Sequence, residues 1–236
     1  MTSLDDWIRD SEARLRELKI DRPPLAYVCE TGAARERSEG LWLEFGTGSG
    51  HTTRVMCAGR RHGVVYTFDS FQGLPCDWLP AYGVLRGHFA QPAPVDLPSN
   101  ASLVVGRFEE TIRTFLEERP GVPVDLVHID CDVYDSAKFV LTQLTERIIS
   151  GTVLVFDELF YFPGRERHEA KALFEWLTES GRSIEWIGSH GEQSAVDIVE
   201  AAMHRPHLKR KYFVGPDRNI IAPDVPVMDR VALLVH

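Results

Sequence analysis

Two apolar runs in this chain end in acids, and the spacing of those acids is where chemistry could be done. Pro123-Val124-Asp125-Leu126-Val127-His128-Ile129-Asp130 is followed by Asp132, and Thr152-Val153-Leu154-Val155-Phe156 by Asp157 and Glu158. Runs this apolar suit central strands of a parallel sheet, and open α/β sheets place their ligands outside the carboxyl ends of such strands. If the runs are neighbours, Asp130, Asp157 and Glu158 meet at one edge. Like charges that close are costly unless something positive sits between them. Three oxygen donors without Cys or His suit a hard cation, so the expected site is Mg2+ held by Asp130, Asp157 and Glu158. The bland alternative, one helix cap and solvated neighbours, accounts less well for acid pairs at two consecutive strand ends.

A second stretch carries binding chemistry. Leu41-Trp42-Leu43-Glu44-Phe45 runs into Gly46-Thr47-Gly48-Ser49-Gly50, then His51-Thr52-Thr53, which reads as a strand, a glycine-rich turn and a helix start. Glycine at every second position removes the Cβ atoms that would block a ligand, and the helix start offers free N–H groups. A dinucleotide loop needs its third glycine three residues after the second; here that slot is His51. Glu44 would also repel a diphosphate. The pattern suits a ligand with an ammonium group, and S-adenosylmethionine is one. Asp69, ending the apolar run Gly63 to Asp69, lies 23 positions after Gly46, the reach expected of an acid that binds ribose hydroxyls.

Composition limits the rest. The 236 residues suffice for one α/β domain, and a net charge of −9 argues against a protein that holds nucleic acid through phosphate contacts. A small-molecule partner is favoured. No apolar run reaches the roughly 20 residues of a membrane span, and the first ten residues carry three aspartates and no apolar segment, so a cytoplasmic location is expected. Cys29, Cys57, Cys76 and Cys131 lack a C-x-x-C pair, which points to reduced thiols.

The elements that must position these groups follow in order. Residues 3 to 19 form an amphipathic helix capped by Ser3, and Pro23 and Pro24 separate it from a second helix over 25 to 38. Both could cover the mouth of a site or form a homodimer contact. Helix 52 to 58 follows the glycine loop. Residues 70 to 99, broken by Gly and Pro and punctuated by Phe71, Trp78, Tyr82 and Phe89, read as a lid or substrate-facing loop. Strand 101 to 106 leads to helix 109 to 118, with Phe108 either beside a bound adenine or in the core. Helices 136 to 149 and 168 to 179 flank the second acid-ended strand. Strands 183 to 188 and 194 to 200 make an antiparallel hairpin at the edge. A tail from His204 carries Arg205, Lys209, Arg210 and Lys211, and residues 230 to 235 add a last strand or pack on a neighbour.

Together, Trp42-Leu43-Glu44-Phe45-Gly46 with Gly48 and Gly50, Phe68-Asp69-Ser70-Phe71-Gln72-Gly73-Leu74-Pro75, His128-Ile129-Asp130-Cys131-Asp132-Val133-Tyr134, and Gly151 through Glu158 resemble the class I S-adenosylmethionine-dependent methyltransferases. Within them the chain is most similar to the macrocin O-methyltransferase family, over roughly residues 40 to 200. The resemblance implies a Rossmann-like α/β fold: a mostly parallel seven-stranded sheet with an antiparallel edge hairpin and helices on both faces. It also implies one methyltransferase domain, with a helical cap (1–39), a core (40–200) and a tail (201–236). Glu44, Gly46 and Gly48 would line the methionine end of the cofactor, with Thr52 near its carboxylate. Asp69 would hold the ribose, and Ser70 and Phe108 would flank the adenine. Asp130, Asp157 and Glu158 fall where metal-dependent relatives carry Mg2+, although the third slot is often Asp or Asn.

The implied reaction is Mg2+-dependent methyl transfer to a hydroxyl of a small molecule, a natural-product sugar first and a phenol or catechol second. Asp130 is the first candidate for the base, Asp132 the second and His168, otherwise a surface histidine, the third. Catechol enzymes carry a lysine three positions after the first metal acid, and here that position is Val133. A protein that binds S-adenosylmethionine without chemistry is the rival reading, which the acid cluster disfavours.

Overall fold

The computed structural model describes residues 2–37, 39–79, 84–162, 164–191 and 229–236. A seven-stranded sheet in the order β3-β2-β1-β4-β5-β7-β6 organises them. Its strands are β1 (Leu41–Phe45), β2 (Val65–Asp69), β3 (Ala101–Val105), β4 (Val124–Ile129), β5 (Ile148–Phe160), β6 (Ile184–Gly191) and β7 (Asp229–Val235). The first five pair in parallel, whereas β7 runs antiparallel between β5 and β6. The central strands are apolar on both sides because helices cover both faces. Leu41, Leu43 and Phe45 of β1 enter one core with Leu154 and Phe156; Trp42 enters the other with Leu126, Val153 and Val155. That alternation follows from the two-residue repeat of a strand.

The antiparallel edge is present with a different partner from the one expected. β6 pairs with β7, the segment at the chain's end, while the expected strand 194–200 lies outside the described residues, as does the basic stretch from Arg205 to Lys211. Element ends move in ways that local chemistry explains. Helix α2 (Pro24–Thr31) stops at Gly32, which takes a left-handed conformation, instead of running to 38. Helix α5 (Tyr134–Leu144) ends earlier than expected, and β5 begins at Ile148, so Asp157 and Glu158 lie inside a long strand and not beyond it. A register irregularity between Phe156 and Phe160 marks the stretch that contains them.

Helix α1 (Leu4–Glu17) starts where Ser3 accepts the N–H of Asp6, as the cap pattern predicts. It packs on its own chain. Trp7 sits 5.7 Å from Phe160, 5.6 Å from Phe174 and 6.2 Å from Trp186, ring centre to ring centre, and Leu15 is fully buried. Phe174 belongs to α6 (Glu169–Ser180), so the first helix covers the side of the sheet that α6 shares. The remaining helices, α3 (His51–Gly59) and α4 (Phe108–Glu117), follow β1 and β3.

The N-terminal helix is thus part of the folding unit. Leu15→Ala is expected to destabilise the protein by about 2–5 kcal/mol in urea unfolding, as a core Leu truncation does, with a single transition retained. A loss of under about 0.5 kcal/mol, the surface range, would separate the helix from the core.

Candidate active site

The glycine loop is held by its neighbours at the strand ends. Gly46 N–H donates to Phe68 O at 2.9 Å, and Asp130 N–H to Phe45 O at 2.9 Å, so β1 is tied to β2 and β4 just where all three finish. A Cβ on Gly46 would lie 1.9 Å from the Asp130 carbonyl oxygen, and its φ of 107° is one that L side chains rarely adopt. Gly48 N–H donates to Asp69 Oδ2 at 2.9 Å, and Phe71 N–H donates to Oδ1 at 2.7 Å. Asp69 therefore joins the glycine loop to the turn after β2. Ser70 is half-buried there and accepts the N–H of Gln72 at 3.2 Å.

Glu44 lies under this loop. It is fully buried, accepts hydrogen bonds from the hydroxyls of Thr53 and Thr67, the latter at 2.6 Å, and lies 3.3 Å from His128 Nδ1. Its carboxylate is thus engaged by protein groups, and it braces the loop from within the sheet. Thr52 is half-buried in the first turn of α3. Phe108 is partly buried and sets its ring edge-on to Phe45 at 5.3 Å, at the end of β1.

The acids converge, with one change of membership. Asp130, Asp132 and Glu158 each offer a carboxylate oxygen, and these atoms lie within 4.8 Å of one another. Asp157, expected as a ligand, is turned instead toward Arg230 of β7, whose Nε donates to it at 2.5 Å; His128 Nε2 lies 4.0 Å away. The physical reason is charge: among the described residues Asp157 is the acid of this group that hydrogen-bonds a guanidinium, and Arg230 reaches Glu158 and Asp130 only by longer-range attraction. Burial works to raise the pKa of Asp157, but the charges of Arg230 and His128 and hydrogen bonds from Arg230 and Glu158 together outweigh it, and the net direction is down. The other three move the opposite way. Burial, then the charge of Asp157, lifts Asp130 and Glu158 well above the carboxylate range and pushes Asp132 up to about 7. Asp132 is held at a φ of 65°, a left-handed conformation that Asp tolerates better than most residues.

The connection between β2 and β3 closes over these groups. Leu74, Trp78, Leu79 and Val84 bury against Val133, after the β4 acids, and Phe162, after β5. Leu79 and Val84 exchange two backbone hydrogen bonds of 3.1 Å; the tip between them, Tyr82 included, lies outside the described residues. Farther along, Leu97 and Gln91 lie against the glycine loop, close to where Cβ atoms on Gly50 and Gly48 would stand. His168 is sandwiched between Trp78 and Phe162, with ring centres 6.4 and 6.3 Å away and a backbone hydrogen bond to Trp78. Burial, then the charge of Arg167, lowers its pKa, and its contacts make it an anchor of this connection.

Sequence reasoning missed two groups. Arg230 was placed only in a last strand, and its partner is 73 residues away. Glu169, fully buried at the start of α6, accepts the N–H groups of Cys131 and Asp132. Acids in first helical turns are common for dipole reasons, so nothing in the local sequence separates this one from a solvated cap.

An open parallel sheet with a glycine loop after its first strand and acids at the ends of the next two central strands is the architecture of class I methyltransferases. Residues 43–159 match the family model described as a methyltransferase domain, and the sheet is the Rossmann-like fold that class I methyltransferases share. Solved structures of similar fold include CalS11, a calicheamicin methyltransferase, with 21% identity, a TM-score of 0.54 and coverage of 68% of this chain and 72% of that one. The O-methyltransferase NovP is another, at 20% identity and a TM-score of 0.50, covering 69% and 72%. No curated protein matches the chain by sequence.

The acid cluster predicts a pH dependence of stability in protein stripped with chelator. Asp132 moves from 3.8 to about 7, so the folded form binds its proton more tightly than the unfolded chain does. Its contribution to stability is full below the unfolded pKa and is lost as pH rises through the folded one. Calorimetric Tm is expected to fall between pH of about 4 and about 7, and to fall less steeply in Asp132→Asn. Equal slopes in the two proteins would refute the assignment.

Proposed function

We propose that this methyltransferase acts on a hydroxyl oxygen of a small molecule and uses Mg2+ held by Asp130, Asp132 and Glu158. The observation that carries the reading is the convergence of those three carboxylates within 4.8 Å at the sheet edge that also bears the glycine loop. The residues fit a hard cation. All donors are oxygen, Glu158 Oε2 is buried with no hydrogen-bond partner among the described residues, and burial with mutual repulsion keeps the acids short of positive charge. For the cofactor we infer the glycine loop: Gly46 lets β1 turn closely against Asp130, Gly48 keeps the loop backbone free of a side chain, Thr52 stands at the helix start, and Asp69, Ser70 and Phe108 are our candidates for recognising ribose and adenine. Glu44 supports that loop through Thr53 and Thr67.

When bound, S-adenosylmethionine supplies an electrophilic methyl group on a sulfonium, and Mg2+ supplies charge that lowers the pKa of the acceptor hydroxyl. Asp132 takes the hydroxyl proton, as a carboxylate set beside the acceptor oxygen can. Asp130 orients the acceptor oxygen toward the methyl group with Glu158. Trp78 and Phe162 help to exclude water from this edge through the small core they form with Val133.

For the acceptor we infer a sugar hydroxyl of a natural product, with a phenol as the second reading. The names of CalS11 and NovP, a calicheamicin methyltransferase and an O-methyltransferase, fit it. Val133 stands where catechol enzymes carry lysine, which weighs against a catechol. The net charge of −9 favours a small molecule over nucleic acid. No helix among the described residues is long and apolar enough to cross a membrane, and we infer a cytoplasmic enzyme.

The test is release of S-adenosylhomocysteine across a panel of glycosides and phenols, with MgCl2 or with EDTA. Asp130→Asn is expected to lower turnover by roughly 10²-fold or more while calorimetric affinity for S-adenosylmethionine stays within about threefold. Full turnover in EDTA or in Asp130→Asn would overturn the metal-assisted reading.

A further inference from the structure

We propose that Glu169 is a positioning residue that holds Asp132 in its left-handed conformation and so keeps its carboxylate in the acid set. The inference rests on the proposed role of Asp132 and adds a residue to which neither motif nor spacing assigns a part. Glu169 opens α6, far from the acid-ended strands in sequence, yet its Oε1 accepts Asp132 N–H at 3.1 Å and Cys131 N–H at 3.3 Å. Cys131 Sγ lies 3.7 Å from the same oxygen. One oxygen thus gathers two consecutive amides of the turn between β4 and α5, the arrangement by which backbone nests hold anions, here used in reverse.

The geometry explains why an anchor is needed. Asp132 has a φ of 65°, and a non-glycine residue persists there only where its surroundings over-determine it. Val133, next in the chain, is fixed by burial against Trp78 and Phe162, and Asp130 is fixed by its N–H bond to Phe45 O. Between those points the Cys131–Asp132 peptide has Glu169 as its side-chain acceptor. The Cys131 carbonyl of that peptide accepts Val133 N–H at 2.7 Å, so without Glu169 that bond alone is left to hold the turn, and the Asp132 side chain moves away from Asp130 and Glu158 more readily. Glu169 is fully buried and its Oε2 has no hydrogen-bond partner among the described residues. A buried carboxylate so poorly satisfied is costly to keep, and apolar replacement of such groups is often neutral or stabilising. Its presence is explained by what it holds.

The mechanism separates two substitutions. Glu169→Gln keeps an oxygen that accepts both amides; Glu169→Met keeps the volume and removes the acceptor. In Glu169→Met, amide hydrogen exchange at Cys131 and Asp132 is expected to quicken by about tenfold or more, the factor for one lost hydrogen bond. Affinity for Mn2+, used as the probe ion with S-adenosylhomocysteine present, is expected to fall by about 10-fold or more, as on loss of an outer support of a metal ligand. Affinity for S-adenosylhomocysteine itself is expected to hold, and Glu169→Gln to match the wild type in all three measurements. Unchanged exchange in Glu169→Met would overturn the proposal, as would Glu169→Gln behaving like Glu169→Met. If the wild type binds no Mn2+ while the exchange pattern holds, the metal reading falls and the positioning of Asp132 stands.

Discussion

Carboxylates held out of water at the ends of adjacent parallel strands repel one another, and the structure around them is an answer to that repulsion. Parallel pairing of β4 with β5 puts His128 opposite Val155 and Ile129 opposite Phe156, so the acids following each run are neighbours by register and not by chance. Among the described residues, the full counter-charge hydrogen-bonded at this edge is Arg230, and it goes to Asp157. Sharing one cation among several buried acids leaves the rest to rise in pKa, which is what burial and the charge of Asp157 do to Asp130, Asp132 and Glu158. The proposed divalent ion would offset what Arg230 leaves unbalanced.

The counter-charge is part of a polar row that crosses the sheet beneath the site. Thr67 of β2 donates to Glu44 of β1, Glu44 meets His128 of β4, His128 faces Asp157 of β5, and Asp157 receives Arg230 of β7. Five neighbouring strands each contribute one member. Isolated, each of these side chains would be an expensive occupant of an apolar sheet; in sequence, each partner lowers the cost of the next. The row also ties the glycine loop, through Thr53 and Glu44, to the acid-bearing strand. The antiparallel placement of β7 matters for the same reason, since it brings Arg230 alongside Phe156 and Asp157.

Much of this was legible before any coordinates. Apolar runs of strand length ending in acids, a glycine at every second position and an acid 23 residues later each express a constraint carried by neighbouring residues. Central parallel strands, the glycine loop and a meeting of acids at two strand ends were the expectations drawn from them. What stayed hidden depends on distant partners. Asp157 and Glu158 are adjacent and chemically alike, and only Arg230 makes one an ion-pair member and leaves the other to the cluster. Glu169 looks like any acid in a first helical turn. The connection from 70 to 99 looked like a lid because Gly and Pro exclude regular elements, yet its Leu74, Trp78, Leu79 and Val84 form a small core with Val133 and Phe162 that no periodicity announces. The N-terminal helix was legible as a helix, but its amphipathic pattern could not name α6 and β6 as what it covers.

The non-glycine residues held at positive φ show where the fold spends stability on function. Phe71 follows the cofactor-side acid Asp69, Phe89 lies in the covering connection, Asp132 belongs to the acid set, and Tyr161 follows β5. Among the described residues all four lie at or over the carboxyl edge of the sheet, where turns must be sharp to bring side chains back over strand ends. Three of them are held from outside: Phe71 through Asp69, Asp132 through Glu169, and Tyr161 through Glu12 of the first helix, which accepts its N–H and its hydroxyl. Glu12 also pairs with Arg165, just before α6. The first helix therefore does more than cover the core. By gripping Tyr161 and Arg165 together, it fixes the segment that carries the chain from Glu158, a member of the acid set, to His168 and Glu169, which anchor the cover and the turn.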